Sequence, residues 1–317
     1  MEIPWSDVRS KGYVVIPSFL SEDEIKLLVE AFEEVEASER LNPNFNTRYL
    51  KADRRALFAP KILPAARLAS DPAMVMDKLR TGIFYATRLG IQFEWHTDST
   101  SFYAHQNYLN FWIPLIKPLR TRSGLSIVDF EALGKHRPEL AQHFIGRGSA
   151  RVVERNGKTV FHDNDQLKVF EDPDPSFMGK LAVTPELGPG DLLLLRSDVF
   201  HKSQDGDTGR LAISFRVISS KSLVTRQMLM SMGAAKFNNM ARMRTYFAKR
   251  FATFEVAQRD ALSIAEYDAI YRELEDREIQ LCRQLDTKFL SNNQFEDLVY
   301  ELTVEYARRA QASPSPG

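Results

Sequence analysis

A series of short strand-like segments between about residues 80 and 220 constrains the fold most strongly. Each segment is rich in β-branched, aromatic and other apolar residues, and turn residues separate one segment from the next. The segments are GIFYATRL, NYLNFWIPL, GLSIVDF, ARVVE, KTVFH, KLAVTP, DLLLLR and RLAISFRVI. Many short strands without long helices between them are typical of β-sandwiches and β-barrels. The sequence therefore predicts a mainly β core.

Helical patterns flank this β-rich region. Near the N-terminus, YVVIP predicts a short strand, and Ser21 with Glu24 forms the capping-box pattern that starts an amphipathic helix. After the β-rich region, apolar residues at i, i+3 and i+4 predict further helices. We therefore expect a β core domain over residues 1–221, a helical extension over 222–312 that packs on the core as a lid or dimer interface, and a disordered tail over 313–317.

The charge balance and the single cysteine exclude several classes of protein. Lys plus Arg equal Asp plus Glu at 42 each, so the net charge of zero gives no basis for binding nucleic acid or an acidic membrane surface. No apolar run approaches the ~20 residues of a membrane span, and the N-terminal MEIPWSDVRS lacks the features of a signal peptide. One cysteine, Cys282, fits a reducing compartment. We expect a cytoplasmic protein, with the helical extension as the surface for any homodimer.

The segment EWHTD, residues 94 to 98, places a histidine two residues before an aspartate. In an extended strand, side chains two residues apart point to the same face. His96 and Asp98 would therefore project together, as an imidazole and a carboxylate. The pair supplies two of the three ligands of a metal site, although a His-x-Asp pattern alone is a weak signal.

His201 is the strongest candidate for the third ligand. It follows the turn and buried strand GPGDLLLLR, and binding groups on β scaffolds commonly lie just past strand ends. The remaining histidines are expected to be surface residues or hydrogen-bonded structural residues. They are His105, His136, His143 and His162.

Arg210 follows His201 at the start of the segment RLAISFRVI. Alternation along a strand places four residues of this segment on one face. They are Arg210, Ala212, Ser214 and Arg216. Because the neighbours of Arg210 on that face are small, a ligand has room beside its guanidinium.

Together these residues predict an iron site. Two histidines and one carboxylate form a facial triad, which leaves three coordination positions open, as in non-haem Fe(II) oxygenases. Those positions suit O2 and a bidentate 2-oxo acid. The planar guanidinium of Arg210 suits a distant second carboxylate of that acid.

Two other classes of protein stay open at this point. One is a cupin-type zinc or manganese isomerase or hydrolase that uses no 2-oxo acid, but it would leave Arg210 without a function. The other is a non-catalytic binding protein, against which the intact triad argues.

The sequence resembles the phytanoyl-CoA dioxygenase-like family of Fe(II)/2-oxoglutarate-dependent oxygenases over about residues 10 to 220. GYVVIPSFLSEDEI resembles the family's opening strand and helix, WHTD its metal motif, NFWIPL the strand that follows, and GDLLLLRSDVFHKS with RLAISFRV its closing strands. The resemblance implies a double-stranded β-helix, the cupin-like jelly roll, with an N-terminal helix. It also implies the cofactors Fe(II) and 2-oxoglutarate, with O2 as co-substrate.

The resemblance implies roles for individual residues as well. The implied iron ligands are His96, Asp98 and His201. Arg210 would bind the C5 carboxylate of 2-oxoglutarate, and Ser203 matches a position that assists that carboxylate. Asn110 and Trp112 match positions that face the site. Because related halogenases lack the carboxylate ligand, Asp98 indicates hydroxylation or another oxidation.

The predicted reaction is the oxidation, by hydroxylation, of an unactivated C–H bond in a small molecule, with release of succinate and CO2. Such a substrate would be a biosynthetic intermediate or an amino-acid-like compound. Tyr85 and Asn110 are candidates for hydrogen bonds to 2-oxoglutarate. The candidates for substrate contacts are Gln92, Trp95, Phe102, Tyr103, Trp112, Arg122 and Arg216.

Overall fold

The computed structural model describes residues 5–39, 48–89, 92–98, 108–146, 150–163, 168–225, 253–254 and 256–273 of the chain. The chain divides into two compact units, Met1–Leu223 and Val224–Gly317. The first unit contains the β-rich region and the predicted metal ligands.

The first unit begins with a helix, a strand and a long helix. Helix α1 (Trp5–Ser10) leads into strand β1 (Tyr13–Ile16), and helix α2 (Glu22–Glu39) follows. The predicted capping box is present, since Ser21 N donates to Glu24 Oε2 at 2.8 Å and Glu24 N donates to Ser21 Oγ at 3.3 Å. These two bonds satisfy backbone donors at the start of α2.

A short strand and two further helices complete this opening region. They are β2 (Arg48–Tyr49), α3 (Ala52–Ala56) and α4 (Ala59–Leu68). Leu28 and Phe32 of α2 and Ile62 of α4 belong to a buried apolar cluster that also contains residues of the larger sheet. The helices therefore cover one face of that sheet.

The larger sheet has six strands. Four of them lie within the predicted β-rich region: β3 (Lys78–Ala86), β4 (Tyr108–Ile116), β9 (Leu192–Arg196) and β11 (Leu211–Ile218). The spatial order is β1-β9-β4-β11-β3-β2, and every neighbouring pair is antiparallel. Strand β11 lies near the middle, between β4 and β3, so its side chains are buried on both faces.

A second layer contains five shorter strands. They are β5 (Leu125–Val128), β6 (Ala150–Arg155), β7 (Lys158–Asp163), β8 (Val169–Asp172) and β10 (Phe200–Ser203). Strand β10 pairs with β5, and β6, β7 and β8 form an antiparallel meander. The backbone of His96 bridges the two groups, because it pairs with His201 in β10 and with Arg151 in β6.

Apart from the β6–β8 meander, successive segments from β3 to β11 alternate between the two layers. After β3 in the larger sheet, the backbone around His96 lies in the second layer, β4 returns to the larger sheet, and β5 lies in the second layer. Strands β9, β10 and β11 repeat this alternation. The connectivity is that of a double-stranded β-helix, and it confirms the predicted mainly β, cupin-like fold class.

The two layers enclose an apolar core. Trp112, Leu193 and Ala212 from the larger sheet pack there with Leu125 and Ile127 from β5. Since removal of an apolar side chain of this size from water stabilises a fold by roughly 1.5–3 kcal/mol, this core holds the layers together. The same side of β11 carries the candidate ligand-binding residues.

Three short helices cover the outer side of the second layer. They are α5 (Phe130–His136), α6 (Pro138–Phe144) and α7 (Phe177–Leu181). Asp129 caps α5 by accepting a hydrogen bond from Ala132 N at 2.6 Å. Phe144 of α6 packs edge-on against Phe200 of β10, with ring centroids 5.4 Å apart.

Little of the second unit belongs to the described residues. Strands β12 (Leu223–Thr225) and β13 (Ala261–Ser263) form a two-stranded sheet, and residues 264–273 are helical. The segment that we expected to be helical throughout thus also contains short strands. The predicted disordered tail, 313–317, lies outside the described residues, and a dimer interface in the extension stays a prediction.

Within the described ranges, no helix combines the length and the apolar character needed to span a bilayer.

Candidate metal centre and cosubstrate site

The two histidine ligands lie directly opposite each other on neighbouring backbone segments. His96 N donates to His201 O, and His201 N donates to His96 O, both at 3.0 Å. Residues that exchange both hydrogen bonds across an antiparallel pair project their side chains from the same face. The imidazole rings accordingly lie 4.4 Å apart between centroids.

Asp98 joins the two histidines because it lies two residues after His96. Its backbone N donates to Ser197 O at 2.8 Å, which fixes the segment next to the turn before β10. Asp98 Oδ1 is 3.7 Å from His96 Nε2, and Asp98 Oδ2 is 3.8 Å from His201 Nε2. The ligand atoms of these three residues all lie within 4.8 Å of one another. Over the described part of the chain, this is the only group of three or more His, Cys, Asp or Glu side chains that could hold a metal ion.

Both histidines present Nε2 toward the carboxylate. His96 Nδ1 lies 2.6 Å from Glu94 O, and His201 Nδ1 lies 3.0 Å from Val199 O. A carbonyl oxygen can only accept, so each Nδ1 carries the proton and each Nε2 has a lone pair for a metal ion. In metal sites, the histidine nitrogen that does not bind the metal commonly donates a hydrogen bond in this way.

A hydrogen-bond network behind Asp98 holds its carboxylate. Asn110 Nδ2 donates to Asp98 Oδ2 at 3.1 Å, and Ser214 Oγ donates to Asn110 Oδ1 at 2.5 Å. Arg216 Nη2 donates to the same Asp98 Oδ2 at 3.4 Å and to Tyr85 Oη at 3.1 Å. Strands β3, β4 and β11 thus each contribute to the orientation of one carboxylate.

The opposite charges of Asp98 and Arg216 in this network stabilise each other. Burial disfavours the charged form of Arg216, but the Asp98 carboxylate more than offsets this effect and raises the pKa of Arg216 above its ordinary value. Burial raises the pKa of Tyr85 to about 12, so its hydroxyl stays neutral. Arg216 is therefore a permanent cation beside a metal-ligating carboxylate.

Arg210 lies directly before the other end of β11 and has different surroundings. It is 4% exposed, its Nη1 donates to Ser123 O at 2.8 Å, and its guanidinium lies 5.6 Å from the ring centroid of Trp112. Its Nε has no hydrogen-bond partner, and no carboxylate of the described residues pairs with it. Burial lowers the pKa of Arg210 to about 10.

Two loops fix the backbone around Arg210. Thr87 Oγ1 accepts from Arg210 N at 2.9 Å, and Thr87 N donates to Arg210 O at 3.0 Å. Asp205 Oδ1 accepts from Ser123 Oγ at 2.8 Å and from Ser123 N at 3.0 Å, so it holds the residue whose carbonyl receives the guanidinium. The cation is thus positioned before any ligand arrives.

These residues fit the predicted iron and 2-oxoglutarate. The metal set offers two imidazole nitrogens and one carboxylate, the donors of non-haem Fe(II) sites. The unsatisfied, buried guanidinium of Arg210 suits a carboxylate that a bound ligand would bring.

The other predicted cofactor-binding residues lie nearby, but several are already hydrogen-bonded. Both ends of the Asn110 amide serve the Asp98 network, and the Tyr85 hydroxyl accepts from Arg216. Ser203 Oγ accepts from Phe93 N at 3.1 Å and keeps its own proton for donation.

The predicted substrate-contacting residues are scattered. Trp112 packs against Arg210, whereas Trp95 joins the apolar cluster on the outer side of the second layer, with Lys202 Nζ 5.3 Å from its ring centroid. Arg122 forms ion pairs with two aspartates, Asp205 and Asp207. Gln92 is exposed. Phe102 and Tyr103 lie outside the described residues.

Phe93 is a site-adjacent residue that the sequence did not single out. Its side chain is exposed, its ring centroid lies 5.5 Å from that of His96, and it meets Tyr85 edge-on at 6.0 Å. Strand alternation would direct position 93 to the face opposite His96, so the sequence pattern offers no signal for this contact. Thr87 and Ser123 likewise reach Arg210 only through the fold.

Several solved structures resemble the chain. The non-haem α-ketoglutarate-dependent carbocyclase SnoK from nogalamycin biosynthesis is 20% identical, with 69% of this chain and 84% of that chain covered and a TM-score of 0.48. EctD from S. alaskensis, with 2-oxoglutarate and 5-hydroxyectoine, is 14% identical, with coverages of 69% and 76% and a TM-score of 0.47. EvdO2 from Micromonospora carbonacea var. aurantiaca, complexed with 2-oxoglutarate, is 17% identical, with coverages of 68% and 89% and a TM-score of 0.41. These likenesses carry no functional conclusion.

A family model gives the decisive match. No curated protein matches the sequence. The model described as Phytanoyl-CoA dioxygenase (PhyH) matches residues 8–212, well over half of the chain. The chain therefore belongs to the phytanoyl-CoA dioxygenase family and is an oxidoreductase that uses iron, 2-oxoglutarate and O2.

Proposed function

We propose that this enzyme hydroxylates an unactivated C–H bond of a small molecule, such as a biosynthetic intermediate or an amino-acid-like compound, and releases succinate and CO2 from 2-oxoglutarate. The observation that carries the proposal is the combination of the His96, Asp98 and His201 group with Arg210, a buried cation with one hydrogen bond from its guanidinium. An isomerase or hydrolase that uses no 2-oxo acid would leave Arg210 without this role in cosubstrate binding.

Each residue has a defined task in this proposal. Bound iron and 2-oxoglutarate together activate O2 and supply the oxidising power for C–H cleavage. His96 and His201 would hold the metal through Nε2 and Asp98 through its carboxylate. Arg210 and Ser203 would hold the far carboxylate of 2-oxoglutarate and so orient its 2-oxo acid end.

Asp98 supports hydroxylation over halogenation. Related halogenases lack the carboxylate ligand, whereas here Asp98 is present and held by Asn110 and Arg216. A carboxylate fixed this firmly supports a complete set of three protein ligands.

The substrate side of the site is proposed more broadly. The exposed ring of Phe93 beside His96 offers an apolar surface next to the metal, and Gln92 is exposed beside it. We keep Phe102 and Tyr103 as proposed substrate contacts on the sequence alone. A reducing, cytoplasmic location is proposed on the basis of the single cysteine, Cys282.

The test is an anaerobic titration of the Fe(II) protein with 2-oxoglutarate, followed by admission of labelled O2 with candidate small molecules. We expect a weak visible charge-transfer band, then succinate formation and one labelled oxygen atom in the product. Absence of the band at saturating iron and 2-oxoglutarate would favour the zinc or manganese isomerase or hydrolase. Succinate with an unlabelled, rearranged or dehydrogenated product would replace hydroxylation by another oxidation.

A further inference from the structure

Arg216 is a second buried arginine in the site, and the roles proposed above for binding iron and 2-oxoglutarate do not include it. Asp98 and Arg216 are each 5% exposed, and Arg216 Nη2 lies 3.4 Å from Asp98 Oδ2. The guanidinium also donates to Tyr85 Oη at 3.1 Å and lies 5.5 Å from the ring centroid of Tyr108. Both aromatic residues come from the strands that flank the β11 side chain.

A buried carboxylate needs a compensating charge. An isolated ionised carboxylate in a protein interior is strongly unfavourable, and removal of one partner of a buried pair is far more costly than replacement of both. A bound divalent metal ion would compensate Asp98. Before the metal binds, the cation that can do so in the described residues is Arg216, at the shortest distance of any guanidinium or ammonium group to this carboxylate.

We propose that Arg216 is a positioning residue that acts as a built-in counter-ion for Asp98. Its guanidinium offsets the charge of the carboxylate in the metal-free site, and it competes with the metal ion for the same carboxylate. The inference deepens the proposed function, since it takes Asp98 as a metal ligand.

The proposal has two consequences with opposite signs. Loss of the Arg216 charge removes the nearest compensating cation of Asp98 among the described residues and therefore lowers the stability of the metal-free protein. The same loss removes a cation that repels the incoming metal ion, so the metal should bind more tightly. A residue with a merely structural role would lower stability without raising metal affinity, which makes the second consequence the distinguishing one.

The first experiment is a double-mutant cycle on the metal-free, chelator-treated full chain. Arg216→Met, Asp98→Asn and the double variant are compared by thermal unfolding. We expect each single variant to lower Tm and the double variant to lower it by clearly less than the sum, because both charges are then absent. Additive changes in Tm would overturn the proposal.

A matched control uses another partly buried arginine. Arg137 forms an ion pair with Asp172 in β8 and another with Glu139, and neither ion pair involves Asp98. Arg137→Met combined with Asp98→Asn should therefore give additive changes. If Arg216→Met does not fold, Arg216→Gln replaces it, since the amide can still bond the Tyr85 hydroxyl without a charge.

The second experiment measures the affinity for Mn(II), an oxygen-stable substitute for Fe(II), from the signal of free Mn(II) in electron paramagnetic resonance. We expect Arg216→Met to bind Mn(II) about tenfold more tightly than the wild type, and Arg216→Lys, which keeps the charge, to bind it about as the wild type does. Unchanged or weaker binding by Arg216→Met would contradict the counter-ion role.

Failure of the proposed function and failure of the counter-ion proposal would give different results in these two experiments. Absence of Mn(II) binding by the wild type would remove the metal assignment and thus the proposed function. The coupling between Arg216 and Asp98 in the metal-free protein would still decide whether the two charges compensate each other.

Discussion

Two buried arginines lie on one face near the two ends of strand β11, Arg210 directly before it and Arg216 within it, and they differ in the groups that compensate their charge. Arg216 lies 3.4 Å from the Asp98 carboxylate. Arg210 donates from its side chain to one backbone carbonyl, that of Ser123, and no carboxylate of the described residues pairs with it. The same face thus carries one arginine that is paired with a carboxylate, Arg216, and one that is not, Arg210. These are called the compensated and the uncompensated end of β11 below.

The pKa values follow this difference in opposite directions. Burial acts against the charged form of both side chains. At Arg216 the Asp98 carboxylate overrides burial and raises the pKa, whereas at Arg210 burial prevails and lowers the pKa to about 10. Asp205 acts on Arg210 only as a charge at longer range, and no carboxylate of the described residues forms an ion pair with it, which indicates that a ligand supplies the paired anion.

Removal of the carboxylate at the compensated end should have the largest effect. Asp98→Ala deletes a metal ligand and leaves Arg216 without its counter-ion, so we expect 2-oxoglutarate-dependent oxidation to fall to the background level. Succinate formation with a turnover substrate measures it. Glu171→Ala, which removes an exposed carboxylate paired with Lys158, is the control and should keep wild-type activity. Full turnover by Asp98→Ala would remove the assignment of the three metal ligands.

Removal of the Arg210 cation should have the second largest effect, a loss of 2-oxoglutarate affinity. Arg210→Met should weaken 2-oxoglutarate binding by about 2–5 kcal/mol, roughly thirtyfold or more, because a buried charge pair with the ligand is lost. The anaerobic visible titration of the Fe(II) protein gives the dissociation constant. Arg54→Ala, which removes an exposed guanidinium paired with Glu34, is expected to leave it unchanged. An unchanged constant in Arg210→Met would make Arg210 an ordinary buried strand residue.

Strand periodicity made the grouping of the candidate ligand residues predictable. The period of two places His96 with Asp98, and it places Arg210 with Ser214 and Arg216 on one face of the β11 segment. The structure puts the latter face toward the interior between the layers, where Ser214 and Arg216 reach Asn110 and Asp98. The residues that share one face of a strand can be predicted without knowledge of the residues that they contact.

The same periodicity could have corrected one expectation. Trp95 immediately precedes His96, so alternation directs its side chain to the opposite face, where the structure buries it among apolar residues of the outer cluster. Its candidacy as a substrate contact rested on proximity in sequence, which is misleading in a strand.

The partners of the two arginines could not be predicted from the sequence. Arg210 meets Ser123 and Thr87 across 87 and 123 positions of chain. Arg216 meets Asp98 across 118 positions. Such contacts depend on strand register and on the placement of two loops, and a single sequence does not specify either. Arg216 therefore looked like a candidate for substrate binding, whereas its contact with Asp98 supports a role at the metal ligand.

Substitution of Trp112, the tryptophan beside Arg210, should lower 2-oxoglutarate affinity by a smaller amount. The same substitution of Trp95, outside the site, should not lower it. Trp112→Phe keeps a ring beside Arg210 but weakens the attraction between the ring and the cation, so we expect 2-oxoglutarate affinity to fall by about 0.5–1 kcal/mol, roughly twofold to fivefold. Trp95→Phe is the matched control, since its ring lies near Lys202 and in the outer cluster. Equal losses in both variants, measured by the same titration, would show a general packing effect and not a contribution of Trp112 to the cation.

The smallest expected effect is the response of wild-type 2-oxoglutarate affinity to pH. In the proposed role of Arg210, a carboxylate of 2-oxoglutarate binds the charged guanidinium, and the charged fraction falls only as the pH rises through the lowered pKa of about 10. We therefore expect the dissociation constant to change less than about twofold between pH ~7 and ~9 and to rise steeply near pH ~10. In Arg210→Lys the same burial lowers the pKa of an ammonium group that starts from about 10.4, so its affinity should begin to fall at lower pH than that of the wild type. Titrations of both proteins across this range test the comparison. If the two profiles coincide, the group that controls 2-oxoglutarate binding is not the side chain at position 210, and the uncompensated end of β11 does not hold the cosubstrate.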